Sequence, residues 1–93
     1  EKNNLPNKTS LNLAYPNPFN PITQISYSLE KYSKIELSIF DINGKKIESL
    51  KSGYQISGDY KIKWDASNFA SGLYFVKLNT NNFSQTQKLI LIK

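Results

Sequence analysis

Apolar and polar residues alternate along most of this chain. Over residues 22–29, Ile25, Tyr27 and Leu29 point one way and Gln24, Ser26 and Ser28 the other. That two-residue period predicts a strand with one buried face. Residues 34–42 repeat it, with Ile35, Leu37 and Ile39 against Glu36 and Ser38. Asn43-Gly44 follows, a hairpin signal read as a type I′ turn with positive φ at both centres, so KKIESLK is expected to return antiparallel. Tyr60, Ile62 and Trp64 alternate with Lys61 and Lys63 over 59–65. Residues 73–80 and the closing SQTQKLILIK read as two further strands about an Asn81-Asn82 turn. A short first strand is expected within 10–15, with Leu11 and Leu13 on one face. Many short strands without a helical stripe or an internal repeat predict an all-β sandwich of antiparallel strands.

Between the first two strands lies YPNPFNP, residues 15–21, which holds three of the four prolines. Proline keeps φ near about −65°, extends the residue before it and donates nothing to a sheet ladder. Asn17 and Asn20 are turn formers. The stretch is therefore expected to carry the chain between sheets, with Phe19 tucked under the fold as a plug. Residues 1–9 are polar and read as a linker from a larger parent protein, leaving 10–93 as one sandwich domain.

Composition narrows the function. The charge of +5 comes entirely from lysine, spread from Lys2 to Lys93 with no block longer than Lys45-Lys46. Base reading favours arginine forks and clustered charge, so nucleic acid is not the expected partner. No apolar run reaches the ~18 residues of a membrane span. Histidine and cysteine are both absent, which removes the usual acid–base and thiolate chemistry. The seven carboxylates form no motif. Asp41-Ile42-Asn43-Gly44 matches a fragment of a calcium loop, but lysines occupy the remaining ligand positions, and Asp41 reads better as support for its turn. No enzyme, metal or cofactor is expected. A carbohydrate-binding or purely structural accessory module is the alternative, with Tyr60 and Trp64 as a sugar platform. Ile62 between them on the same face favours a core stripe instead. Tyr15, Tyr32, Tyr54 and Phe69 lie in loops or at strand ends and are read either way.

Four motifs occur in order: LAYPNPFNPITQISYSL, IELSIFDINGKKIESL, GDYKIKWDASNFASGLYFVKL and TQKLILIK. Together they resemble the type A C-terminal sorting domain of the type IX secretion system, and are similar to the immunoglobulin-like domain of the flagellar hook-capping protein. The resemblance covers residues 11–93. It implies an immunoglobulin-like sandwich of about seven strands, monomeric and non-catalytic, that serves as an address on a larger cargo protein. Outer-membrane secretion and sortase machinery would recognise it after passage through the periplasm. Cleavage in the linker would follow, with release of the cargo or its attachment to surface lipopolysaccharide.

The motif residues carried over are Tyr15-Pro16-Asn17-Pro18, Gly44-Lys45, Gly58 and Tyr60, Ser71-Gly72-Leu73-Tyr74, and Lys88 with the strand after it. The loop after Trp64 is shorter than in many relatives. For partner recognition the resemblance nominates Pro16, Asn17, Pro18, Gly44, Lys45, Gly72, Tyr74 and Lys88. Several also have a packing explanation: Gly44, Gly58 and Gly72 through backbone angles or close approach, Tyr74 and Trp64 through the core. The last strand is expected to offer a free sheet edge for strand addition by a partner.

Overall fold

The computed structural model describes residues 5–93; the first four residues of the expected linker lie outside them. Seven strands follow in chain order: β1 (Ser10–Leu11), β2 (Ile22–Leu29), β3 (Ser33–Phe40), β4 (Lys46–Gln55), β5 (Gly58–Asp65), β6 (Gly72–Asn79) and β7 (Ser84–Leu91). All pairings are antiparallel. One sheet has the order β1-β2-β5 and the other β4-β3-β6-β7. The all-β expectation of about seven antiparallel strands in a sandwich is met. The fourth strand stands beside the third, whereas the constant-type immunoglobulin sandwich places it beside the fifth. Among the described residues no helix is long and apolar enough to cross a membrane.

The alternating residues read from the sequence are the ones that meet between the sheets. Ile25, Tyr27 and Leu29 of β2 face Ile35, Leu37 and Ile39 of β3, with Val76 and Leu78 of β6 and Leu89 and Leu91 of β7 completing the layer. Each buried aliphatic side chain contributes about 1.5–3 kcal/mol of transfer free energy. Trp64 is fully buried at one end of this layer, its ring 5.6 Å from Phe19, 5.8 Å from Phe69 and 5.6 Å from Tyr74. Its Nε1–H donates to Glu48 Oε1 across the sandwich at 2.9 Å.

Tyr27 makes a comparable tie on the same side. Its hydroxyl donates to Gln55 Oε1 at 2.6 Å and its ring stacks on Tyr60 at 5.2 Å. Burial disfavours the phenolate and raises the Tyr27 pKa above its ordinary value of 10.0, and the Gln55 hydrogen bond offsets only part of this. The unfolded chain therefore sheds this proton first. The Tyr27 contribution is intact below pH 10.0 and is lost as pH rises through the folded-state pKa. Urea melts across that range should show a steeper loss of stability in the native chain than in Tyr27→Phe. Parallel losses would remove Tyr27 from the alkaline response.

Two local expectations need correction. The first strand is only two residues long, and Leu13 does not share the face of Leu11: Leu11 is buried and Leu13 is 85% exposed. The ladder breaks after Asn12 because the N–H of Ala14 is taken by Gln87 Oε1 at 2.6 Å, which turns the chain at Leu13. The β3–β4 hairpin is also not a type I′ turn. Only glycines have positive φ, so Asn43 is right-handed and Gly44 alone, at +80°, is left-handed. Gly44 N–H donates to the Asp41 carbonyl at 3.0 Å and Asp41 N–H to the Lys45 carbonyl at 2.9 Å. This is a type I turn closed by a left-handed glycine. Asp41 supports it as expected, since its Oδ1 accepts from the N–H groups of Asn43 and Lys45.

Candidate functional site

Residues 15–21 cross from one sheet to the other. Tyr15 pairs with Gln24 of β2, exchanging both backbone hydrogen bonds at 3.0 Å. Four residues later Phe19 pairs with Leu91 of β7, in parallel. The peptide bonds before Pro16, Pro18 and Pro21 are all cis. The Pro16 carbonyl accepts the buried Thr23 hydroxyl at 2.6 Å, which ties the crossing back to β2. The Phe19 ring is 3% exposed and closes the end of the core over Trp64, the plug expected of it.

The crossing also closes the outer edge of β7. Asn17 Nδ2–H donates to the Lys88 carbonyl at 2.8 Å, and Ile90 N–H donates to Asn17 Oδ1 at 3.0 Å. Phe19 N–H then donates to the Ile90 carbonyl, and Ile92 N–H to the Phe19 carbonyl, both at 2.9 Å. These strand groups point away from β6, where an added strand would have to bind. The expectation of a free edge is thus overturned from the Lys88 carbonyl to the Ile92 N–H, because the asparagine amide copies a peptide unit and the Phe19 backbone supplies the next one.

Two glutamines extend the closure, and the sequence reading missed them. Gln85 accepts from Leu11 N–H at 3.1 Å and donates to the Leu11 carbonyl at 3.0 Å. Gln87 accepts from Ala14 N–H and donates to the Asn12 carbonyl at 2.6 Å. Each carboxamide fills the gap between β7 and β1 as a peptide group would. Their signal was parity: Gln85 and Gln87 fall on the same side of β7 as the buried Leu89 and Leu91.

The nominated residues therefore separate into groups. Asn17 and Lys88 meet at the β7 edge. Gly72 pairs with Leu91 and adopts φ +150°, while a Cβ there would have nothing within 4 Å. Backbone angle, not close approach, explains that glycine. Tyr74 is buried against Trp64 and Phe69, with its hydroxyl donating to the Ala70 carbonyl at 2.6 Å. Pro16 and Pro18 stay exposed beside Asn17. Gly44 and Lys45 sit at the tip of the β3–β4 hairpin, and Gly44 borders an open groove of about 330 Å³ on the outer face of the four-stranded sheet. On the same face Lys46 pairs with Glu36, which also accepts from Ser38. The Lys46 and Ser38 hydrogen bonds hold the Glu36 carboxyl below its usual range. Next to Trp64, the hydroxyl and N–H of Ser67 do the same for Asp65.

A family model described as the secretion system C-terminal sorting domain matches residues 13–93. The chain belongs to this family, the sorting domains of type IX secretion. Comparison with curated proteins and with solved structures gave no match. Domains of the family are in general non-catalytic parts of larger secreted proteins. A sorting domain of this system implies export to the cell surface or the extracellular space. The match begins at Leu13, so it takes in the whole crossing and all of β7. In this sorting domain the sugar platform is not available as a pair. Trp64 is in the core, and Tyr60 lies half-buried against Tyr27. Phe69 packs on Trp64, and Tyr32 and Tyr54 stack on each other at 5.3 Å. Tyr15 remains 81% exposed.

Asn17 supplies a direct test of the seal. Asn17→Ala removes two hydrogen bonds at an exposed edge and should cost about 1–2 kcal/mol. Hydrogen exchange at Ile90 N–H should speed up along with it. Unchanged stability and unchanged exchange would show that the side chain does not hold β7.

Proposed function

We propose that this sorting domain is the address by which a cargo protein, after export to the periplasm, is passed through the outer membrane. Its partners are the secretion and sortase machinery of that membrane. The segment before Ser10 is the linker in which the domain is cut away, followed by release of the cargo or its attachment to the surface. The observation that carries this reading is the family match over residues 13–93. The nominated residues divide by role in this proposal. Tyr74, Gly72 and Asn17 maintain the fold, while Gly44, Lys45 and Lys88 belong to the surface that is read.

The test is a fusion of residues 1–93 behind a periplasm-targeted fluorescent protein in a bacterium that carries the type IX system. The expected result is reporter in the medium or on the cell surface, and none in a strain lacking the translocon. Reporter held in the periplasm, while a control cargo is exported normally, would overturn the proposal.

A further inference from the structure

The outward face of a sandwich sheet is ordinarily polar. The three-stranded sheet follows this, with Gln24, Ser26, Lys61 and Lys63 facing outward. The four-stranded sheet departs from it at one end. Phe40 of β3 and Phe75 of β6 stand directly opposite each other on its outer face, neither of them buried. The next rung pairs Leu73 with Ile90, and Ile42 beyond Phe40 is 67% exposed. Phe40, Phe75 and Ile42 line the groove of about 330 Å³. A cross-strand aromatic pair adds roughly 0.2–1 kcal/mol to a sheet, which does not require a groove beside it.

Lysine outnumbers carboxylate around these rings, although Asp41 also borders the groove. Lys77 lines the groove, Lys88 sits opposite Phe75 on β7, and Lys45 follows Gly44 at the hairpin tip. The carboxylates of this face are already engaged, Glu36 by Lys46 and Ser38, and one oxygen of Asp41 by its own turn. Among the described residues the one ion pair is Lys46–Glu36; Lys45, Lys77 and Lys88 have no carboxylate within ion-pair distance, and Lys77 acts on Glu36 only at longer range. Because the crossing seals the upper edge of β7, strand addition there is closed, and docking of side chains onto the face remains open.

We propose that this face docks an acidic protein segment carrying one aromatic or aliphatic anchor. The anchor lies against Phe40 and Phe75, and the flanking carboxylates meet Lys77 and Lys88. The proposal rests on the sorting-domain reading and assigns the segment to the receptor. A groove of this volume takes a single large side chain. Exposed lysines contribute mainly steering and a salt dependence.

Two experiments test it. In the first, the isotopically labelled chain is titrated with a synthetic peptide of aspartates and glutamates around one phenylalanine. The same peptide with glycine in place of phenylalanine, and dextran sulfate, serve as comparators. Amide shifts should concentrate at Phe40, Phe75, Lys77 and Thr86, and the glycine peptide should bind about tenfold more weakly. Lys77→Gln with Lys88→Glu should weaken the phenylalanine peptide by a similar factor, and added salt should weaken it further. No shift on this face at about 1 mM peptide, or equal response to the glycine peptide or dextran sulfate, would reduce the site to a general polyanion surface and overturn the proposal.

The second experiment places Ile42→Ser, Lys77→Gln and Lys88→Glu together in the secretion fusion, after melts have shown that the domain still folds. Export should fall about tenfold. Full export of this variant beside an exported wild type would overturn the docking face and leave the sorting function standing. If the wild type itself is not exported, the sorting function fails, and the peptide titration decides the groove alone.

Discussion

Phe19→Ala is expected to lower the stability of the domain by about 3–5 kcal/mol, the range for removing a fully packed phenylalanine. The ring is 3% exposed, lies 5.6 Å from Trp64 and closes the end of the core where Trp64, Phe69 and Tyr74 meet. Its removal leaves a cavity beneath the largest buried side chain, and the surrounding strands are too firmly paired to collapse into it. The backbone hydrogen bonds of Phe19 to Ile90 and Ile92 survive the substitution, so the loss measures side-chain packing. Small domains have about 5–15 kcal/mol in total, so the variant is left with a fraction of its stability. Urea denaturation should show a lower midpoint with an unchanged slope. A loss under about 1 kcal/mol would show that the ring is a surface contact and the plug assignment is wrong.

Deleting Leu89–Lys93 should unfold the domain outright. The deletion removes Leu89 and Leu91, both essentially fully buried, and each costs about 2–5 kcal/mol on truncation to alanine alone. It also removes the β6–β7 rungs at Gly72, Leu73 and Tyr74 and both backbone partners of Phe19. The summed loss exceeds what a domain of this size holds. Circular dichroism should show no cooperative transition. A truncated chain that still melts cooperatively with the native slope would contradict the prediction. Lost secretion after this deletion would therefore report folding, and recognition has to be probed by surface changes such as Lys88→Glu.

The strands were legible because each carries one buried face. Ile35, Leu37 and Ile39 alternate cleanly, and the structure places all three in the core. Trp64, Tyr74 and Phe19 were likewise legible as core members. The β3–β4 and β6–β7 pairs were legible from their turns, but the long-range pairs were not, since pairing between β2 and β5 or between β3 and β6 joins residues far apart in the chain with no local mark. The same holds for the β7 edge. Asn17 meets Lys88 and Ile90 across more than seventy residues, with separations of 71 and 73. A strand that reads as terminal therefore reads as open. Asn43 misled because Asn-Gly favours left-handed angles at both positions, yet Asp41 Oδ1 captures the Asn43 and Lys45 N–H groups and selects the type I geometry. The outer-face pair of Phe40 and Phe75 needed the β3–β6 register, because each phenylalanine alone reads as an ordinary strand residue.

The chain segment 11–19 runs parallel to 85–92. Leu11 holds Gln85, Asn12 and Ala14 hold Gln87, Asn17 holds Lys88 and Ile90, and Phe19 holds Ile90 and Ile92. Tension applied between the chain ahead of Ser10 and the chain beyond Leu91 therefore acts along these bonds as shear. All of them must yield together, where an antiparallel pair pulled from one end would unzip singly. In single-molecule stretching, Gln87→Ala and Asn17→Ala should lower the rupture force more than their equilibrium cost predicts, and a core substitution of equal cost should not. The proline-rich crossing is then loaded in shear, the geometry in which its hydrogen bonds to β7 resist tension as a group.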